Sequence, residues 1–103
     1  MDTPKIVMYG QVIQPKSPKM RVWREFLAFF DLDKKDMDIE EYLDKQVELI
    51  VLAFNRPEVT KETLDECMEI GDIVPLARQL FKWIQSLTFS KLVNVPNGAA
   101  EKD

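Results

Sequence analysis

The stretch DIEEYLDKQVELIVLAF, residues 38–54, decides the fold of this 103-residue chain. Apolar residues recur in it at every third or fourth position: Ile39, Leu43, Val47, Ile50 and Phe54. That spacing places them on one face of an α-helix. Asp38 suits the N-cap, and Glu40 and Glu41 suit the positive end of the helix dipole. Pro57 ends the segment, because it has no amide hydrogen and disfavours helical dihedrals in the residue before it.

A second helical pattern precedes this stretch at Lys19–Asp31. Two sets of apolar residues lie on neighbouring faces there: Met20, Trp23, Leu27 and Phe30 on one, and Val22, Phe26 and Phe29 on the other. The end of this segment is therefore apolar nearly all round. We expect such a helix to be deeply buried or partly reserved for another chain, since one small bundle can rarely cover both faces.

Two further helices are predicted beyond this stretch. Thr60 suits the N-cap of a short third helix, and Gly71 supplies the left-handed residue that ends it. Asp72 then caps a fourth helix at about Ile73–Phe89, with Pro75 tolerated in its first turn.

The two ends of the chain differ from its middle. Lys5–Gln14 has strand-forming residues and is predicted to form a short strand or an ordered arm. Past Lys91 the chain is polar and small, which predicts a disordered tail. The predicted organisation is an N-terminal arm or strand at 1–18, a helical domain at 19–92 and a flexible tail at 93–103. The predicted fold is all-α: a small bundle of about four helices with a short N-terminal strand.

The composition argues against most enzyme chemistry. The chain has no His and a single Cys, so it lacks the commonest general base, the usual zinc ligand sets and any disulfide framework. The acidic loop Asp31–Asp38 does not fit a calcium site, because Asp36 stands where the sharp turn needs Gly and Tyr42 where the last ligand should be Glu. We expect no catalytic residue, no cofactor and no metal ion.

The charge distribution limits the kinds of partner. The net charge is −4, which disfavours nucleic acid, and no apolar run is long enough for a membrane span or a signal peptide. We therefore expect a cytosolic protein with no membrane or nucleic-acid partner. The charge is +3 in residues 1–30, −9 in residues 31–72 and +2 in residues 73–103. Such segregation is typical of self-complementary assembly, of a protein with a cationic partner, or simply of a solvated helix face. A homo-oligomer is therefore one of the alternatives that the charge distribution leaves.

Aromatic side chains are the most informative functional feature. They concentrate in the first and last predicted helices: Trp23, Phe26, Phe29, Phe30, Phe81 and Trp83. Protein interfaces favour aromatic anchors, although core packing explains any one of these rings about equally well. As a set, the six residues predict a partner-binding surface.

The order of features over Met20–Leu92 resembles the tail assembly chaperones of long-tailed, siphovirus-type bacteriophages and prophages of Gram-positive bacteria. The matching parts are the opening MRVWREFLAFF, the helix DIEEYLDKQVELIVLAF and the segment RPEVTKETLDECMEIGDIVPLARQLFKWI. In that family an aliphatic helix ending in Phe is followed by a Thr-capped short helix, an acidic or Gly-containing corner and a final amphipathic helix. Phe54, Thr60, Gly71 and Ile73–Ile84 follow that order here.

The resemblance implies a non-enzymatic protein that binds the tape measure protein and helps tail-tube protein subunits to polymerise around it. It also implies a location in the cytoplasm of the host bacterium, absence from the mature virion and, in many members, a longer form made by frameshifting near residues 94–103. We expect the tape measure protein to bind the face near Trp23, Phe26, Phe29 and Trp83. A small prophage-encoded transcriptional regulator and a structural tail or head–tail component are the alternatives.

Overall fold

The fold is described by a computed structural model that covers residues 2–93. Two strands come first, β1 at Ile6–Met8 and β2 at Gln11–Ile13. Within the described residues five helices follow: α1 at Met20–Asp31, α2 at Ile39–Phe54, α3 at Lys61–Cys67, α4 at Ile70–Leu87 and the single turn α5 at Ser90–Val93. The prediction of a mostly helical fold is confirmed, but the protein is not purely all-α. The tail predicted at residues 93–103 lies outside the described residues apart from Val93.

The N-terminal segment forms a β-hairpin instead of a single strand or arm. The two strands pair antiparallel, with Ile6 opposite Ile13. Tyr9 and Gly10 form the two-residue turn, and both have positive φ angles, 50° and 78°. Two consecutive positive φ angles are the requirement of the type I′ turn, whose twist matches that of the strands. Gly10 therefore lies in a chain reversal. A single strand was predicted because the residues on both sides of Gly10 favour β structure.

One face of this hairpin belongs to the core. Ile6, Met8 and Ile13 are buried together with apolar residues of the helices, while Val7 and Val12 are exposed. This alternation follows from the two-residue period of a strand.

Helix α2 is central to the bundle and packs against α1, α3 and α4. It runs antiparallel to α1, because the start of each helix lies beside the end of the other. The amide of Lys16, just before α1, donates to the carbonyl of Phe54 at 3.1 Å. At the other end, the rings of Phe29 and Tyr42 lie 6.0 Å apart between centroids. Asp38 caps α2 as predicted, since its side chain accepts a hydrogen bond from the Glu41 amide at 2.8 Å.

The corner between α3 and α4 differs from the prediction. Helix α3 is capped by Thr60 as expected, through a reciprocal pair of hydrogen bonds with Thr63. It ends at Cys67, however, and α4 begins at Ile70, so Gly71 and Asp72 lie in the first turn of α4 and neither ends or caps a helix. Pro75 consequently lies beyond the first turn. The corner is made by the extended residues Met68 and Glu69, which no glycine signal marks.

Candidate functional site

The six aromatic residues predicted to bind a partner divide into two groups of three. Phe26, Phe29 and Trp83 are buried, with exposed fractions of 0%, 5% and 5%. Their placement on a partner-binding face needs correction, because α2 and α4 cover the face of α1 that carries Phe26 and Phe29. Trp23, Phe30 and Phe81 are only partly buried and pack at the edge of the core.

These partly buried rings form one continuous stack between α1 and α4. The ring of Phe81 lies 4.6 Å from that of Phe30 and 5.6 Å from that of Trp23, measured between centroids, in both cases nearly parallel. It also lies 6.1 Å from the buried ring of Phe26. Aromatic pairs at these separations add to the free energy of burial. The stack therefore fixes where the start of α1 lies relative to the end of α4.

An apolar groove lies beside this stack, where α1 begins and α4 ends. It has a volume of about 490 Å³. Its lining comes from three segments: Ser17, Pro18, Lys19, Met20 and Trp23 around the start of α1, Ile84, Leu87 and Thr88 at the end of α4, and Ser90 and Lys91 in α5. Met20 is 60% exposed, and Phe89, between Thr88 and Ser90, is 66% exposed. We name this depression the α1–α4 groove.

The two segments that build the α1–α4 groove carry only positive charge. Residues 16–24 contain four basic and no acidic side chains, and residues 82–91 contain two basic and no acidic ones. Lys19 and Lys91 line the groove itself. An apolar surface bordered by cations in a net-acidic protein is suited to an apolar partner that carries carboxylates at its edges.

Sequence reasoning identified Trp23 as a site residue but missed Met20 and Leu87. Met20 was assigned to a helix face without a functional role, and Leu87 to the apolar stripe of the last helix. Both line the α1–α4 groove. Pro15 and Pro18 predict extended backbone before α1, but the groove also depends on the end of α4 lying beside the start of α1, which no local pattern indicates.

Two other depressions are open and more polar. One, of about 330 Å³, is lined by the acidic start of α2, including Glu40, Glu41 and Glu48. The other, of about 430 Å³, lies between α1 and α2 and mixes apolar residues such as Leu32 and Leu52 with charges of both signs. Neither has the apolar character of the α1–α4 groove.

The single cysteine lies beside an exposed tyrosine of the hairpin turn. Hydrogen bonding to the Cys67 side chain, together with the charges of Cys67 and Glu66, raises the pKa of the Tyr9 hydroxyl above its ordinary value of 10.0. The phenol is therefore neutral at physiological pH. Among residues 2–93, no three His, Cys, Asp or Glu side chains are grouped closely enough to hold a metal ion.

None of the helices in the described part of the chain is long and apolar enough to cross a lipid bilayer. Comparisons of the chain with protein-family models, with curated proteins and with solved structures found no match.

Proposed function

We propose that this protein is a tail assembly chaperone of a long-tailed bacteriophage or prophage of Gram-positive bacteria. It binds the tape measure protein in the host cytoplasm, assists polymerisation of the tail-tube protein around it, catalyses no reaction and leaves before the virion matures. The proposed family assignment rests on the sequence resemblance over Met20–Leu92.

The observation that supports a binding role is the α1–α4 groove. Its apolar wall includes the partly buried indole of Trp23 and the side chain of Leu87, and Met20 extends the apolar surface towards solvent. Helices that bind in grooves use apolar side chains at spacings of three and four residues. A tape measure protein that presents such a helix would find its apolar face matched by this groove and its acidic flanks matched by Lys19 and Lys91.

A role as a DNA-binding regulator has less support from the surface. The helix–corner–helix of α3 and α4 offers Arg78 and Lys82 as exposed cations on α4. Exposed acidic side chains surround the same corner: Glu62, Asp65, Glu66, Glu69 and Asp72. Phosphate groups would be repelled by this cluster, because affinity for DNA depends on cations that neutralise phosphates. We therefore prefer the chaperone.

Co-expression with the tape measure protein encoded in the same phage or prophage tests the proposal. The wild-type chain should retain the tape measure protein during purification. Met20→Glu places a carboxylate in the apolar groove and should reduce the retained amount about tenfold, which corresponds to roughly 1.4 kcal/mol of binding free energy.

Ile70→Glu is the matched control. Ile70 and Met20 are each the first residue of a helix, and Ile70 is 83% exposed outside the groove. An acidic residue is favourable at that position in both helices, so both variants should stay folded. The proposal is wrong if the wild-type chain retains no tape measure protein, and the groove assignment is wrong if the two variants retain equal amounts. Mass spectrometry of purified virions tests the structural alternative, which predicts that the chain is present there.

A further inference from the structure

Positive charge and exposed apolar side chains coincide at one end of the molecule. The segments that build the α1–α4 groove, residues 16–24 and 82–91, contain four and two basic side chains and no acidic ones. Met20 is 60% exposed and Phe89 is 66% exposed, and the residues on both sides of Phe89 line the groove. Binding to a bilayer surface gains from both features, burial of apolar side chains and attraction of cations to anionic lipids. We name residues 16–24 and 82–91 the basic end.

Helix α1 adds to the positive potential at the basic end, because it begins there. Its N-cap residue, Lys19, makes no side-chain hydrogen bond to the helix, and its first turn contains no acidic residue. By contrast, α2 and α3 begin with side-chain caps and with acidic residues in the first turn. The positive end of the α1 dipole therefore has no anionic side chain in its own first turn, and an external anion such as a lipid phosphate group is stabilised there.

Two acidic segments of the chain lie too far away to cancel this charge. Residues 31–41 contain six acidic and two basic side chains and follow α1, whose 12 residues separate them from its start by about 18 Å. Glu66, Glu69 and Asp72 are exposed around the start of α4, whose 18 residues place them about 20–27 Å from its other end. The Debye length is about 8 Å at physiological ionic strength. The basic end therefore attracts anions although the net charge is negative.

We propose that the basic end binds to the surface of a lipid bilayer that contains anionic lipids. Met20 and Phe89 enter the boundary between headgroups and acyl chains, and the Trp23 indole lies at the headgroup level, where tryptophan is enriched in membrane proteins. Lys19 and Lys91 contact lipid phosphate groups. The acidic segments at the far ends of α1 and α4 are repelled by the lipids, so the molecule is held in one orientation. The cytoplasmic leaflet of a membrane carries the negative charge that this contact needs.

A contact with the bilayer surface is compatible with the signals that argued against a membrane partner in the sequence. Those signals were the negative net charge and the lack of a long apolar run, which concern the whole chain and a membrane-spanning helix. Surface binding depends instead on local charge and on a few apolar side chains. The inference goes beyond the proposed function and does not depend on the tape measure protein.

A nucleic acid is the other polyanion that a basic surface can bind, but the apolar side chains favour a bilayer. The groove residues Met20, Ile84 and Leu87 have no rings on which bases could stack, and base stacking is what apolar side chains contribute to binding of single strands. Their transfer to the acyl boundary of a bilayer gains hydrophobic free energy that phosphate contacts alone do not provide.

Co-sedimentation of the full-length chain with lipid vesicles tests the proposal. The chain should bind vesicles of roughly one third phosphatidylglycerol and two thirds phosphatidylcholine at least about tenfold more tightly than vesicles of pure phosphatidylcholine. Binding should weaken as sodium chloride is added, because the Debye length shrinks from about 30 Å at 0.01 M to about 3 Å at 1 M. In Trp83→Phe, which keeps only Trp23, the phosphatidylglycerol vesicles should protect the indole from acrylamide.

Charge reversal separates the basic end from the overall charge. Lys19→Glu combined with Lys91→Glu should weaken binding to the phosphatidylglycerol vesicles about 30-fold, since each cation near an anionic surface accounts for about fivefold. Lys35→Glu combined with Lys45→Glu is the matched control, because both lysines are exposed outside the groove and the net charge changes equally. This control should weaken binding by less than about threefold, because its charges are screened from the lipids.

Replacing one apolar side chain tests its insertion at constant charge. Phe89→Gln should weaken binding about tenfold. Ile70→Gln is the matched control, because Ile70 is 83% exposed at the start of α4, outside the groove, and it should bind like the wild-type chain. Circular dichroism confirms that each variant is folded.

Four results overturn the proposal. The first is a wild-type chain that binds neither kind of vesicle, or binds both equally. The second is an equal loss in the two charge-reversed variants, which indicates an effect of overall charge. The third is binding that Phe89→Gln leaves unchanged. The fourth is a duplex DNA oligonucleotide that displaces the chain from the vesicles and binds Phe89→Gln as tightly as the wild-type chain, which identifies nucleic acid as the ligand.

These results are separate from those for the proposed function, because no tape measure protein is present. A chain that retains the tape measure protein but binds no vesicles contradicts only the contact with lipids. A chain that binds the vesicles but retains no tape measure protein contradicts only the proposed function.

Discussion

The indole of Trp23 stacks on the ring of Phe81, with centroids 5.6 Å apart and planes inclined by 18°. This pair joins the first helix to the last long helix beside the groove whose wall Trp23 forms. Phe81 also contacts the rings of Phe30 and Phe26. One side chain of α4 therefore sets the position of three aromatic residues of α1, and the stability of the fold and the shape of the groove depend on the same contacts.

Phe81→Leu should destabilise the protein and Phe89→Leu should not. Leucine at position 81 keeps apolar contact but loses three ring interactions, so we expect a loss of about 1–3 kcal/mol in the free energy of unfolding. Phe89 is 66% exposed, and its replacement should change that free energy by less than about 0.5 kcal/mol. Urea denaturation followed by circular dichroism measures both values. Equal losses in the two variants would contradict a stabilising role of the stack.

Helices could be predicted from the sequence where their signals lie within a few neighbouring residues. The spacing of apolar residues in α2, the Asp38 and Thr60 caps and the interruption at Pro57 all act within a few residues, and the structure has them where they were predicted. The prediction that Gly71 ends α3 was wrong, because glycine occurs in the first turn of a helix as well as just after its last turn. The corner was made instead by extended backbone at Met68 and Glu69, for which no residue preference is strong.

The candidate site was harder to predict because it depends on which helices cover which faces. The helical pattern of α1 places Trp23 on one face and Phe26 and Phe29 on a neighbouring face, but it does not indicate which face the other helices cover. Helices α2 and α4, each antiparallel to α1, bury Phe26 and Phe29 and leave Trp23 at the rim of the groove. The positions of Met20 and Leu87 in the lining of the groove follow from that same long-range arrangement.

Gln46 is a polar residue in the core whose replacement should stabilise the protein. It is 1% exposed, and neither its amide nitrogen nor its amide oxygen has a hydrogen-bond partner among the described residues. A buried polar group without a partner costs about 1–3 kcal/mol. Gln46→Met keeps the unbranched shape, so we expect unfolding to become less favourable by about 1–2 kcal/mol. A loss of stability would indicate that a buried water molecule satisfies the amide.

The N-cap of α2 should depend on an acceptor oxygen and less on its charge. Asp38→Ala removes the 2.8 Å hydrogen bond from the Glu41 amide and should lower the free energy of unfolding by about 1 kcal/mol. Asp38→Asn keeps a side-chain oxygen at the same place and should cost much less. Thermal unfolding of the two variants under identical salt compares them. If Asn destabilises as much as Ala, the attraction of the carboxylate to the helix dipole is the main contribution of Asp38.

The hydroxyl of Tyr9 should titrate above the ordinary tyrosine range. Its pKa is raised by hydrogen bonding to Cys67 and by the charges of Cys67 and Glu66. A raised pKa means that the folded protein favours the neutral phenol, so this contribution to stability is fully present below pH 10 and is lost as the pH rises through the pKa of the folded state. Tyr42→Phe leaves Tyr9 as the only tyrosine, and its ultraviolet absorbance then follows tyrosinate formation. Adding Cys67→Ala should move the midpoint down towards the ordinary value, and an unchanged midpoint would contradict this cause.

The two tryptophans should report separately on the core and on the α1–α4 groove. Trp83 is 5% exposed, whereas Trp23 is partly buried and lines the groove. In Trp83→Phe the fluorescence comes from Trp23 alone, and acrylamide should quench it readily because this indole lines the open groove. In Trp23→Phe only Trp83 remains, and quenching should be weak because α4 holds that ring inside the core. Equal quenching of the two variants would contradict this difference in burial.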